Sequence, residues 1–155
     1  MEETKTLEYK GKLKISNTIE KTWNLLTDEK SISKIVPGIK SIKREGSKLF
    51  FHIKISIYAL PMDFWGTVKI IEEVKYKRVK HEIVGSGVGT NFSIIIIYDI
   101  LDKNEYTEVD WVANVSLSGR ISSLPDEFIE RTSKKIINKI VRTVNKIASN
   151  EVEKT

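Results

Sequence analysis

Residues 107–149, TEVDWVANVSLSGRISSLPDEFIERTSKKIINKIVRTVNKIAS, change their hydrophobic period part-way along, and that change decides the fold. Up to Leu117 apolar residues alternate: Thr107, Val109, Trp111, Ala113, Val115 and Leu117 share one side, with Glu108, Asp110, Asn114 and Ser116 on the other. A period of two is that of a strand with one wet face. After Gly119 the period lengthens to ~100° per residue, that of a helix. Ile129, Ser133, Ile136, Ile140, Val144 and Ile147 then fall on one arc, and Arg131, Lys135, Lys139, Arg142 and Lys146 on another. Pro125 suits a first helical turn, while Asp126, Glu127 and Glu130 suit the positive end of the helix dipole. The spacing predicts a long helix from about residue 125 to residue 149, one side packed and one side basic.

Upstream of this stretch no helical period interrupts a run of strands. Turn residues punctuate it at Glu45-Gly46-Ser47, Leu60-Pro61, Tyr76-Lys77-Arg78, Gly85-Ser86-Gly87 and Asp102-Lys103-Asn104, predicting four to six strands. Phe51, Ile53, Ile55 and Ile57 oppose His52, Lys54 and Ser56, and Phe64, Gly66, Val68 and Ile70 share a face. Connections this short cannot make parallel crossovers, so the arrangement is an antiparallel meander. Nearer the amino terminus Leu7, Tyr9, Leu13 and Ile15 alternate as a first strand. Asn17 or Thr18 then caps a short helix carrying Ile19, Trp23 and Leu26, with Glu20 where an Asn17 capping box would want it. Asp28 caps a second short helix with Ile32, Ile35 and Val36, which Pro37-Gly38 ends. The order is strand, two short helices, antiparallel sheet, long helix: one α+β domain over residues 1–155, with about six to seven strands in all.

Composition agrees. A chain of 155 residues, 40% hydrophobic and 30% charged, with 8 Gly and 3 Pro, has the make-up of one globular domain. With 0 Cys, disulfide scaffolds, cysteine-bound zinc and cysteine nucleophiles are excluded. The longest apolar run, Ile94-Ile95-Ile96-Ile97-Tyr98, is far short of the ~20 residues of a membrane-spanning helix. Met1 to Lys5 has no apolar core and is not a secretory signal, so a cytoplasmic location is expected. The net charge of +5 is a modest excess, dispersed among acids. Ile and Lys are over-used while Met and Cys are scarce, a bias found in heat-adapted proteins and also produced by genome base composition.

This order of elements is that of a helix-grip fold, in which a curved sheet wraps a carboxy-terminal helix and leaves a cavity between them. Four local signatures sharpen the likeness: Val36-Pro37-Gly38, Phe64-Trp65-Gly66-Thr67, Gly87-Val88-Gly89 and Val115-Ser116-Leu117-Ser118-Gly119-Arg120. Over about residues 10–147 the chain thereby resembles the carbon monoxide dehydrogenase CoxG family of START-like proteins. The resemblance implies binding rather than chemistry: a hydrophobic ligand, quinone or another lipid, and service to a molybdenum hydroxylase of the carbon monoxide dehydrogenase type at the inner face of the cytoplasmic membrane. The chain departs from the family pattern in two places. It has Ser123-Leu124-Pro125 where many relatives carry a Gln-Phe-Gly-like step, and it ends at residues 150–155, where some members continue into a membrane-attaching extension.

Within such a fold the pocket candidates are inward-parity residues of the middle sheet and the apolar arc of the long helix: Ile53, Ile55, Phe64, Val68, His81, Trp111, Ile136 and Ile140. Burial of apolar ligand surface there is worth roughly 25 cal/mol per Å². Ordinary core is the plainer reading of most of them. His81, between Val79 and Ile83, is placed to hydrogen-bond a quinone carbonyl or simply to be satisfied by a neighbour. His52 faces the polar side, and no ligand-spaced His or carboxylate set predicts a metal. The Gly85-to-Gly89 stretch leads into a strand, unlike a phosphate cradle, and lacks a nucleophile-elbow frame. Glu108 and Asp110 share a wet face. The basic residues Lys135, Lys139, Arg142 and Lys146, with Arg131, either dock on anionic headgroups or an acidic partner or form a solvated face. Without interleaved aromatics they do not predict nucleic-acid binding. Ile95 and Ile97 oppose Ile94 and Ile96, so that strand is apolar on both sides and its outer face calls for a loop, a partner or a second copy in a homodimer. The alternatives to a binding protein are a small enzyme of the cyclase or hydratase type and an interaction module with a filled core.

Overall fold

The structure is a computed structural model, and it describes residues 4–57, 60–87 and 89–150. Val88, the middle of the Gly87-Val88-Gly89 signature, lies outside the described residues, as do residues 58–59, the side chains of Ile57 and Asn150, and residues 1–3 and 151–155 of the two chain ends. Among the described residues seven strands, β1 (Thr4–Ile15), β2 (Ile39–Glu45), β3 (Lys48–Ile57), β4 (Leu60–Val74), β5 (Arg78–Gly87), β6 (Thr90–Asp102) and β7 (Thr107–Gly119), make one sheet. Helices α1 (Ile19–Thr27) and α2 (Glu29–Ile35) follow β1, and α3 (Asp126–Asn150) comes last. The sheet order β1-β7-β6-β5-β4-β3-β2 is antiparallel throughout. It is the helix-grip arrangement that the chain order predicts.

Local chemistry sets the element boundaries. Thr18 is the N-cap of α1, its hydroxyl accepting from the Lys21 amide at 3.2 Å. Asn17 is used otherwise: its side-chain amide donates to the Ala148 carbonyl at 2.8 Å and pins the far end of α3. Asp28 caps α2 as expected, accepting from the Ser31 amide at 3.2 Å. At the near end of α3 the Tyr9 hydroxyl donates to the Glu130 carbonyl at 3.1 Å, and Lys5 pairs with Asp126. The helix is thus tied to the first strand region at both ends.

Two predicted turns are strand instead. Leu60 and Pro61 begin β4, where Pro61 pairs with Ser56 at the end of the ladder, a position a proline tolerates. Gly85, Ser86 and Gly87 complete β5, because the glycines make room for side chains of neighbouring strands rather than for a reversal. A Cβ on Gly85 would stand 2.5 Å from the Phe92 ring, one on Gly87 2.7 Å from the Phe64 ring, and one on Gly66 2.8 Å from the Phe51 ring. Three phenylalanine rings rest against glycine backbone. A 3-10 turn over Arg120–Ser123, not foreseen in the sequence, makes the corner into α3.

The core lies between the concave sheet face and the helices. On α3 the fully buried residues are Ile129, Ile137, Ile140, Val144 and Ala148, with Ser133, while Ile136 and Ile147 are half-buried. The packed arc is therefore rotated slightly toward Ile137 and Ala148 from the predicted one. On the outer face Ile95 and Ile97 are half-buried, Ile95 between Glu82 and Asn114 and Ile97 between Lys80 and Val112 of the flanking strands. No helix among the described residues is long and apolar enough to cross a membrane.

Candidate functional site: an apolar cavity under the long helix

Between the sheet and α3 is a cavity walled by Ile53 and Ile55 of β3, Phe64 of β4, Ile83 of β5, Thr90, Phe92 and Ile94 of β6, and Val115 and Leu117 of β7. Val36 and Pro37, after α2, and Ile121 form its rim, and α3 covers it with a face running from Phe128 to Ile140. The polar side chains of the wall are three hydroxyls, Thr90, Thr132 and Ser133; among the described residues no ionisable side chain lines it. The free space is about 70 Å³. An apolar cavity of about 150 Å³ takes up benzene. Anything larger than a few carbon atoms must therefore displace wall side chains, and the rings of Phe64 and Phe92, packed edge to face at 5.6 Å, are the bulkiest of the sheet side.

Of the eight pocket candidates, Ile53, Ile55, Phe64, Ile136 and Ile140 lie in this wall. Val68, His81 and Trp111 do not. Val68 is core that borders a separate shallow cleft with Ile32, Arg44 and Lys48. The indole of Trp111 lies against Gly11 of the edge strand, where a Cβ would come within 2.9 Å of the ring. His81 faces inward but one row past the cavity: rows run Ile83–Ile94–Val115 at its inner limit, then His81–Ile96–Ala113, then Val79–Tyr98–Trp111. Parity alone puts all three rows on one face; which row the helices leave open depends on where α1 and α2 pack, and that is not in the alternation.

The His81 imidazole is fully buried and its Nε2 donates to the Leu26 carbonyl oxygen at 2.7 Å. That carbonyl is in the last turn of α1, where a helix leaves its own acceptors free. Burial holds the imidazole neutral and lowers its pKa to about 4, against a smaller opposing effect of the Leu26 hydrogen bond. Tyr98 is also fully buried, its ring edge-on to His81 at 5.0 Å, and burial raises the pKa of its phenol. Neither His81 Nδ1 nor Tyr98 Oη has a hydrogen-bond partner within the described residues.

The wall residues missed in the sequence, above all Phe92, Ile83, Val115 and Phe128, carry a usable signal. Phe92 has the parity of Ile94, Ile96 and Tyr98, all inward, but the run of four isoleucines hides which parity faces the core. Elsewhere, His52 pairs with Asp63 at 2.8 Å and stacks on Trp65 at 4.8 Å on the outer face. Glu108 and Asp110 are half-buried on that same face. Among the described residues no group of three His, Cys, Asp or Glu is placed to hold a metal. Arg131, Lys135, Lys139, Arg142 and Lys146 are all exposed along α3.

Comparison with solved structures agrees on the fold. A conserved protein from Geobacillus kaustophilus superposes with a TM-score of 0.78 at 18% identity, covering 93% of this chain and 96% of that one. An aromatase/cyclase from a Streptomyces species gives 0.65 at 11% identity, covering 97% and 96%. A START superfamily protein from Mycobacterium smegmatis gives 0.61 at 10%, covering 96% and 97%. No protein with a curated description matches in sequence. The family model for CoxG, the G subunit of carbon monoxide dehydrogenase, matches residues 11–149, from the first strand to the end of the long helix, and the chain belongs to that family.

Proposed function

We propose that this protein binds a hydrophobic small molecule, a quinone or another lipid, between its sheet and α3, and serves as an accessory to a molybdenum hydroxylase of the carbon monoxide dehydrogenase type. The observation that carries the reading is the cavity wall: apolar side chains from five strands and α3, interrupted among the described residues only by hydroxyls. Such a wall recognises a ligand by shape and by the removal of apolar surface from water, at roughly 25 cal/mol per Å². The small resting volume fits a site that opens on binding: the Phe92 and Phe64 rings, packed edge to face, lie over Gly85 and Gly87, where no Cβ stands against them. Family membership supports the ligand-binding role and the association with the hydroxylase. The exposed cations Lys135, Lys139, Arg142 and Lys146 suit docking on anionic headgroups or on an acidic face of the partner enzyme.

Because the aromatase/cyclase shares the fold, an enzyme is the competing reading. General acid–base work needs a titratable group at the reacting atoms; among the described residues the wall itself offers hydroxyls alone, and His81 lies one row beyond it. The test is native mass spectrometry of the protein from its own source, followed by organic extraction and identification of what is released. A co-purifying quinone or lipid supports the binding role. An empty protein that also refuses added quinone and its hydroxyl-bearing reduced form refutes it.

A further inference from the structure

Two polar atoms stand out in the apolar interior. His81 Nδ1 and Tyr98 Oη are wholly buried, belong to rings in edge contact, and have no partner within the described residues. A buried polar group left unpaired costs free energy, and two on rings in edge contact invite a third group that pairs with both. The chemistry of that group follows from the tautomer. A carbonyl oxygen can only accept, so the bond to Leu26 fixes the hydrogen of His81 on Nε2 and leaves Nδ1 as a bare acceptor. Tyr98 retains a free O–H. A single group that pairs with both must donate to Nδ1 and accept from Tyr98 Oη.

A ketone fails, since it has nothing to donate to Nδ1. Of the two roles the sequence leaves open for His81, satisfaction by a neighbour describes Nε2, and a quinone carbonyl would find no donor at Nδ1. A hydroxyl, of a water or of a ligand, does both. His81 is in the row directly past Ile83 and Ile94 at the inner limit of the cavity, on the same inward face. We propose that His81 and Tyr98 form the polar end of the ligand site and take a hydroxyl, which donates to His81 Nδ1 and accepts from Tyr98 Oη while the apolar body of the ligand occupies the cavity. This rests on the ligand-binding reading above, and it narrows the ligand class to apolar molecules ending in a phenolic or alcoholic hydroxyl. Leu26 is the positioning group: without its carbonyl the imidazole would be free to take the other tautomer.

The test compares 4-propylphenol with propylbenzene, which differ by the one hydroxyl, by titration calorimetry on the full chain and on Tyr98→Phe. The phenol should bind the parent at least about tenfold more tightly, the scale of pairing a buried donor and acceptor. In Tyr98→Phe, which keeps the ring, that preference should fall to within about twofold while propylbenzene binding is unchanged. The ¹⁵N signal of His81 Nδ1 should move on adding the phenol and not on adding propylbenzene. If propylbenzene binds but the phenol gains nothing, or the gain survives in Tyr98→Phe, the polar end is refuted while the cavity stands; the pair would then hold only a water. If neither compound binds, the cavity reading fails and this assignment fails with it.

Discussion

Acid should weaken this protein through one residue. His81 has an ordinary pKa of 6.5 in the unfolded chain and about 4 in the folded one, because burial disfavours its charged form. Between those values the unfolded state binds a proton that the folded state does not, so stability rises with pH across the window and is lost as pH falls through it. The two values give a loss of about 2 kcal/mol at pH 5 and about 3 kcal/mol at pH 4, relative to pH 7.5. Carboxylates also titrate in that range, so the parent must be compared with a variant that lacks only this group. His81→Gln retains an N–H that can reach the Leu26 carbonyl and has no titration of its own. Urea unfolding of both proteins at pH 7.5, 5 and 4 isolates the contribution of His81. The parent's stability relative to the variant should decline by about 2 and then about 3 kcal/mol, and a difference constant within about 0.5 kcal/mol across the three conditions would refute the argument.

Other expectations follow from the same geometry. Gly85→Ala puts a methyl group 2.5 Å from the Phe92 ring; it should cost about 1–3 kcal/mol and weaken propylbenzene binding, both read in one set of titrated melts. Phe64→Ala removes a wall ring and should cost ~3–5 kcal/mol while altering ligand retention after gel filtration; unchanged retention in a folded variant would remove Phe64 from the site. Reversing Lys135 and Arg142 to Glu should reduce sedimentation with anionic vesicles in a salt-dependent manner, and no change at low salt would dispose of the docking face. Thr18→Ala should cost about 1 kcal/mol of thermal stability through the loss of the α1 cap.

How far the sequence can be read differs between fold and site. The switch from period two to period 3.6 at Gly119 is written in the order of Val115, Leu117, Ile129 and Ser133, because one-sided burial imposes its own repeat on each element. Asp28 and Pro37-Gly38 are equally plain, being local chemistry. The glycines of β5 are not. Gly85 and Gly87 look like turn residues unless the rings of Phe92 and Phe64 are known to lie over them, and that contact joins different strands. The site meets the same limit. Alternation sorts Val68, His81, Trp111 and Phe64 to one face but cannot tell which rows the helices cover, since the packing of α1 on the His81 row depends on contacts such as that between Leu26 and His81, 55 positions apart.

The phenylalanine rings lying on bare backbone have a kinetic consequence. A cavity of about 70 Å³ admits no ring-sized ligand until the aromatic side chains turn aside, so the open form must be visited before, or made during, each capture. Glycine beneath them leaves no methyl groups to lock the rings in place, which lets that excursion be a side-chain motion rather than an unfolding of the sheet. Stopped-flow association should then level off with rising ligand concentration at a rate set by the protein, the same for ligands of different affinity, and release should be slow once the rings close behind the guest.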